Sequence, residues 1–131
     1  MIGLVVVGHA GLAAELIRAA EMIVGPMEAS ASVEIKADDS VEKIKAALDS
    51  AIESVSAEGI IIMTDMFGGT PSNMSLSFLQ ENRVEVLTGV NLPMLIRFAS
   101  ERERLGVAEL AAQLRDSGRE GVAVAGDYLK K

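Results

Sequence analysis

The chain alternates between short apolar runs and longer segments in which apolar residues recur at helical spacing. Residues 1–8 are all apolar or glycine, and residues 59–64 form a second run that is apolar or glycine up to Thr64. Because both faces of these runs are apolar and rich in β-branched residues, each is typical of a strand buried between two layers. Residues 31–37 alternate as in a strand nearer the sheet edge, and residues 84–88 predict a fourth strand.

Five helices are predicted between and after these strands. They cover residues 12–24, residues 41–55, a segment beginning at residue 70, residues 91–98 and residues 107–116. Gly25 followed by proline predicts the end of the first helix, and Gly118 predicts the end of the fifth. Asn91 is a suitable N-cap for the fourth. Residues 121–126 predict a short last strand.

The order of these elements indicates a single α/β domain over residues 1–131. Alternating strands and helices favour a doubly wound, mainly parallel sheet with helices on both faces. If the second strand lies on one side of the first and the third on the other, the switch point falls between strands one and three. These two strands end in His9 and Asp65, so the pattern predicts a site at that crevice.

Composition narrows the possible functions. A net charge of −7 argues against nucleic acid and anionic membrane surfaces as partners, because both require a basic footprint. With no cysteine and one histidine, we expect no metal site and no cofactor bound through such ligands. The apolar stretches are too short for a membrane span, and the amino terminus lacks a basic signal region. We therefore expect a cytoplasmic protein without direct membrane insertion.

The residues at the predicted crevice suit phosphoryl transfer. His9 is the only imidazole, and Asp65 can fix its tautomer by accepting a hydrogen bond from one ring nitrogen. Gly68, Gly69 and Thr70 stand at a predicted helix start, where backbone N–H groups and a hydroxyl favour an anion. The other nitrogen of His9 is then a plausible nucleophile toward phosphorus. Which nitrogen that is stays open.

Each of these residues also has an ordinary structural role. A lone histidine is often a hydrogen-bonded surface residue, and an aspartate after a strand often caps a turn. Met66 and Phe67 are more typical of a core, although in a site loop they can contact a partner protein. Residues 100–104 read as a solvated helix end. The case for a site rests on these signals meeting at one place.

Three segments carry a resemblance to a known family. They are Gly8-His9 after the first strand, residues 64–73 (TDMFGGTPSN) and residues 89–95 (GVNLPML), and residues 118–121 also fit. The chain resembles the enzyme IIA component of the mannose family in the bacterial phosphoenolpyruvate-dependent sugar phosphotransferase system (PTS). The resemblance implies that His9 accepts a phosphoryl group from the carrier HPr and passes it to a IIB component.

The resemblance also implies roles for other residues. Asp65 would orient His9, and the loop from Gly68 to Ser72 would help hold the phosphate. The fold would be the doubly wound sheet, in a homodimer whose last, antiparallel strand near residue 122 is exchanged between subunits. The IIB partner would be a separate chain, and nothing identifies the sugar.

The sequence departs from the family pattern at two positions. Many members place glycine directly after the histidine, whereas this chain has Ala10. Phe67 stands where tryptophan is frequent. The first departure affects the turn that follows the predicted nucleophile, and the second is the milder change.

Three other functions fit parts of the pattern. One is the related phosphotransfer subunit of dihydroxyacetone kinase, which also has an amino-terminal histidine. Another is a non-catalytic module for small ligands or nucleotides, although neither a glycine-rich dinucleotide fingerprint nor a P-loop lysine is present. The last is a purely structural interaction protein, which would not depend on Asp65.

Overall fold

The computed structural model describes residues 1–66 and 70–129, with residues 70–72 described by their backbone alone. The strands are β1 (Gly3–His9), β2 (Ser30–Ile35), β3 (Ile60–Thr64) and β4 (Val84–Thr88). The helices are α1 (Leu12–Val24), α2 (Val41–Val55), α3 (Thr70–Leu76), α4 (Leu92–Glu101) and α5 (Val107–Glu120). A 3-10 helix, Ala125–Leu129, follows. Among the described residues, no helix is both long and apolar enough to cross a membrane.

The four strands form one parallel sheet in the order β2-β1-β3-β4. The predicted strand arrangement is therefore confirmed, with β1 flanked by β2 and β3. Val7 of β1 lies opposite Thr64 of β3, so the carboxyl ends of the two central strands are level. The switch point of the sheet lies where these strands end, as the topology predicts.

Two apolar layers cover the faces of the sheet. Leu4 and Val6 of β1 pack toward α1, α4 and α5, around the fully buried Phe98. Val5 and Val7 pack against α2 on the opposite face. Because alternate residues of one strand enter different layers, β1 has no polar face, which explains its uninterrupted apolar sequence.

Two predicted helix boundaries follow from local chemistry. The Asn91 side chain accepts a hydrogen bond from the backbone N–H of Met94 at 3.0 Å, as an N-cap does. Gly25 has a φ of 91°, a conformation that residues with a Cβ rarely adopt, and α1 ends there. Both predictions are confirmed.

The predicted end of the fifth helix is wrong. Helix α5 continues past Gly118 to Glu120, and Gly118 is buried. A Cβ at this position would lie 2.9 Å from Cε of Met94, so Gly118 allows α5 to approach α4 instead of ending the helix. No strand forms over residues 121–126 within the single chain, where residues 121–129 are all exposed. A strand requires a hydrogen-bonding neighbour, and among the described residues of the single chain no strand lies beside this segment.

Arg102 is another correction, because residues 100–104 are not a solvated helix end throughout. The Arg102 guanidinium is buried and donates hydrogen bonds to the carbonyl oxygen of Ile2 at 2.7 and 3.0 Å. It also donates to the carbonyl oxygen of Ala29 at 3.3 Å and stacks over the Phe98 ring. Burial lowers the pKa of Arg102, although the acidic Glu103 and Glu28 oppose this shift.

Candidate functional site

His9 is the last residue of β1, and Asp65 directly follows β3. The side chain of His9 is 53% exposed, whereas that of Asp65 is 11% exposed. The imidazole is thus accessible to solvent, whereas most of the Asp65 carboxylate is covered by protein. A cavity of about 460 Å³ lies at the opposite, amino-terminal ends of the strands, where Met1, Gly59 and Arg83 line it. His9 does not line this cavity, and its exposed ring is accessible to another protein.

One oxygen of Asp65 holds His9 at two points. Oδ2 accepts the backbone N–H of His9 at 2.9 Å and lies 2.8 Å from its ring nitrogen Nδ1. Because an ionised carboxylate only accepts hydrogen bonds, Nδ1 must carry the proton in this contact. The lone pair of the neutral ring is then on Nε2, the nitrogen away from Asp65.

The ionisation of Asp65 depends on this contact. Burial acts to raise the pKa of the carboxyl, but hydrogen bonds from the His9 backbone and ring outweigh it. The pKa of Asp65 is therefore lowered from its usual value of 3.8. A negative charge stays beside the imidazole at neutral pH, where it stabilises positive charge on the ring.

The turn after His9 is strained at one residue. Ala10 has a φ of 50°, in the left-handed region that favours glycine. Its backbone N–H donates to the carbonyl oxygen of Ile35 at 2.8 Å, which extends the pairing of β1 with β2 by one residue. Ala10 is one of the two positions at which the sequence departs from the family pattern, and its positive φ explains why glycine suits it.

Comparisons with known proteins identify the family of this chain. Residues 3–115 match a family model described as "PTS system fructose IIA component" (EIIA-man). The chain belongs to the mannose-type EIIA family of the PTS. It is therefore a phosphotransferase component with a phosphotransfer role in the sugar PTS, as the sequence predicts.

Individual relatives of this EIIA chain differ in the sugar that their names carry. The chain is 28% identical over 133 residues to a fructose-specific EIIA component of Bacillus subtilis, covering 100% of this chain and 91% of that protein. It is 30% identical to a sorbose-specific EIIA component of Lacticaseibacillus casei, over 85% of this chain and 81% of the other. A mannose-specific EIIAB component of Escherichia coli is also 30% identical, with 90% of this chain covering 38% of it.

Solved EIIA structures share the fold. The EIIA component from Streptococcus agalactiae superposes with a TM-score of 0.88 at 26% identity, over 97% of this chain and 99% of that one. A mannose/sorbose IIA subunit from Enterococcus faecalis gives 0.84 at 28% identity, over 93% and 92%. The doubly wound fold with a parallel sheet is thus confirmed by both topology and relatives.

The structure describes some of the predicted site residues of this EIIA chain and not others. It brings His9 and Asp65 together, and it places Met66, 56% exposed, directly after Asp65. The backbone of Thr70 and Ser72 lies at the start of α3. The predictions for Phe67, Gly68 and Gly69 fall outside the described residues.

Sequence reasoning missed one residue beside the site. The carboxylate of Glu34, on β2, accepts the backbone N–H of Ala14 in the first turn of α1 at 3.2 Å. A signal was available, because the N-cap of α1 is Gly11, which has no side chain to accept such a bond. Only the fold shows that the acceptor comes from the neighbouring strand.

Proposed function

We propose that this chain is a phosphohistidine relay protein, which accepts a phosphoryl group on His9 from phospho-HPr and passes it to a IIB component. The observation that carries the proposal is an exposed imidazole whose Nδ1 lies 2.8 Å from Oδ2 of Asp65, a side chain that is 11% exposed. Such a pair supplies a nucleophile of fixed tautomer and a charge to stabilise the product. Action in the cytoplasm remains a prediction.

The transfer proceeds at Nε2. Its lone pair attacks phosphorus, the new N–P bond forms, and the N–P bond to the donor histidine breaks with its electron pair returning to that imidazole. The His9 ring, which keeps its proton on Nδ1, becomes positively charged, and the carboxylate of Asp65 balances this charge. Transfer to the IIB component repeats these steps with His9 as the leaving group.

The phosphoryl group needs donors on its oxygens, and we assign these to Gly68, Gly69, Thr70 and Ser72. Glycines permit close approach of backbone N–H groups, and the two hydroxyls add donors. The position of Thr70 and Ser72 directly after the β3–α3 connection that begins with Asp65 supports this assignment. It remains a proposal for all four residues.

Partner proteins would dock around the exposed ring. Met66 is 56% exposed and Leu12 is 46% exposed, so apolar side chains near His9 in sequence or space face solvent. We assign contact with HPr and the IIB component to Met66 and Phe67. An apolar rim around a transferable group suits transient protein contacts.

The proposal includes a homodimer formed by the last segment. Val122 and Val124 are 77% and 69% exposed, and the apolar Tyr128 and Leu129 are also exposed. Strand β4 is at the edge of the sheet and can pair with one more strand. An exchanged strand from a second copy would cover both features. Deletion of residues 121–131 should then convert the dimer to a monomer in light scattering.

A reconstituted relay tests the function. The chain is incubated with phosphoenolpyruvate, enzyme I and HPr, and we expect one acid-labile phosphate per chain. His9→Ala should bind none while keeping its circular dichroism spectrum. Normal labelling of folded His9→Ala would overturn the proposal. A labelled chain that served dihydroxyacetone kinase and no IIB component would assign it to that system instead.

A further inference from the structure

The turn that carries His9 is held by acceptors from both neighbouring strands. Asp65 accepts the backbone N–H of His9 at 2.9 Å, and the carbonyl oxygen of Ile35 accepts that of Ala10 at 2.8 Å. Glu34 accepts the backbone N–H of Ala14 at 3.2 Å. The first two bonds fix the end of β1, and the third fixes the start of α1. The strained turn lies between these fixed points.

Glu34 accepts a hydrogen bond from the first turn of α1, which the N-cap residue of that helix cannot do. The first N–H groups of a helix have no partner within it, and they usually bond to an N-cap side chain. Gly11 at the N-cap has no such side chain. Glu34 is opposite Gly8 in the pairing of β2 with β1, so its side chain reaches the helix from the adjacent strand. Its negative charge also suits the positive end of the helix dipole.

Gly8 places the start of α1 and Asp65 beside one another. A Cβ at Gly8 would lie 3.4 Å from Oδ2 of Asp65 and 3.6 Å from the backbone nitrogen of Ala13. The helix start and the carboxylate that holds the imidazole therefore border the same small space. A shift of the first turn of α1 would therefore act on the His9–Asp65 contact over a short distance.

We propose that Glu34 is a positioning residue for His9. By accepting the Ala14 N–H, its carboxylate anchors α1 to β2 and keeps Ala10 in the left-handed conformation that holds the imidazole on Asp65. Glu34 does not touch the reacting atoms. Its effect on phosphotransfer rests on the proposed function, whereas its effect on the ring does not.

The ring is tested directly in the unphosphorylated protein. Because His9 is the only histidine, long-range ¹H–¹⁵N NMR of the imidazole reports this residue alone. At alkaline pH, we expect wild type to carry its proton on Nδ1. Glu34→Ala should shift the population toward the Nε2-protonated tautomer, whereas Glu34→Gln, which keeps an acceptor oxygen, should retain the wild-type spectrum.

A matched control removes a cap from another helix. The Ser40 side chain accepts the backbone N–H of Lys43 at 3.1 Å at the start of α2, and Ser40→Ala loses this bond without touching the His9 turn. It should destabilise the fold as other cap losses do and leave the imidazole spectrum unchanged. The proposal is wrong if Glu34→Ala keeps the wild-type tautomer, or if Glu34→Gln loses it equally.

Phosphoryl transfer gives a second readout. Misplacement of a nucleophile by about 1 Å can lower a rate by about 100-fold. For a smaller shift of the ring, we expect Glu34→Ala to accept phosphate from phospho-HPr about ten-fold more slowly. Glu34→Gln and Ser40→Ala should remain near the wild-type rate. If Glu34→Ala shifts the tautomer but the wild type accepts no phosphate, the role of Glu34 is supported and the relay function is rejected. Normal transfer by Glu34→Ala with an unshifted tautomer would reject the role of Glu34 alone.

Discussion

A single substitution, Asp65→Asn, can remove the negative charge of the site and leave its shape almost unchanged. Asp65→Asn keeps the size of the side chain and one oxygen that can accept hydrogen bonds from the His9 backbone and Nδ1. It removes the negative charge that lies 2.8 Å from the ring. The substitution therefore tests electrostatic stabilisation of the ring cation with little change in shape.

The expected loss follows from the strength of that contact. A hydrogen bond to a charged group contributes about 1.5–3 kcal/mol, and the contact strengthens as the ring becomes cationic during transfer. Since about 1.4 kcal/mol in an activation barrier is ten-fold in rate, Asp65→Asn should slow phosphoryl acceptance by about 10- to 100-fold. The partial burial of the carboxylate, whose side chain is 11% exposed, limits screening by solvent.

Rapid-quench measurement of transfer from phospho-HPr provides the assay. Asp49→Asn is the matched control, because Asp49 pairs with Lys45 at 3.2 Å on the exposed surface of α2. The control should transfer phosphate at the wild-type rate. A folded Asp65→Asn variant that also transferred within two-fold of wild type, on the order of 0.4 kcal/mol, would refute the role given to the charge.

Three further predictions concern the surroundings of the site and the fold. Ala10→Gly should raise the free energy of unfolding in urea by about 1 kcal/mol, because glycine adopts a positive φ without strain; a decrease would contradict the strain. Arg102→Met should lower the free energy of unfolding by about 2–3 kcal/mol, because the carbonyl oxygens of Ile2 and Ala29 lose a buried donor. An unchanged urea midpoint of unfolding would contradict this. The pKa of Asp65 is lowered in the folded protein, so the ionised carboxylate contributes its full stabilisation above pH 3.8 and loses it as pH falls through the folded-state pKa. The difference in free energy of unfolding between wild type and Asp65→Asn should therefore vanish in acid. A difference that is independent of pH would contradict the ionisation of Asp65.

Much of the fold followed from two central strands. Residues of β1 and β3 are apolar on both faces, a pattern that requires helices on each side and hence a parallel sheet. Once β1 lies between β2 and β3, the topology forces His9 and Asp65 to adjacent strand ends. The proximity of His9 and Asp65 could therefore be predicted from the sequence, because it depends on the order of the strands and not on the conformations of side chains.

Other features depend on contacts that no local pattern encodes. Arg102 looks solvated in a charged run, but its donors match carbonyl oxygens at the opposite pole of the sheet from His9. Glycine is typical of a helix end, but at Gly118 the missing Cβ allows α5 to pack closely against Met94 of α4. Residues 121–126 have strand-like composition but no neighbouring strand in the single chain. Glu34 resembles any polar residue of an edge strand until the register places it beside α1.

The central claim is that Asp65 holds Nδ1 and leaves Nε2 to accept phosphate. Long-range ¹H–¹⁵N and ³¹P NMR of the phosphorylated chain, prepared with enzyme I and HPr, identifies the modified nitrogen of the single histidine directly. The account predicts phosphate on Nε2, with the proton on Nδ1 still bonded to Asp65. Phosphate on Nδ1, or on any residue other than His9, would contradict it.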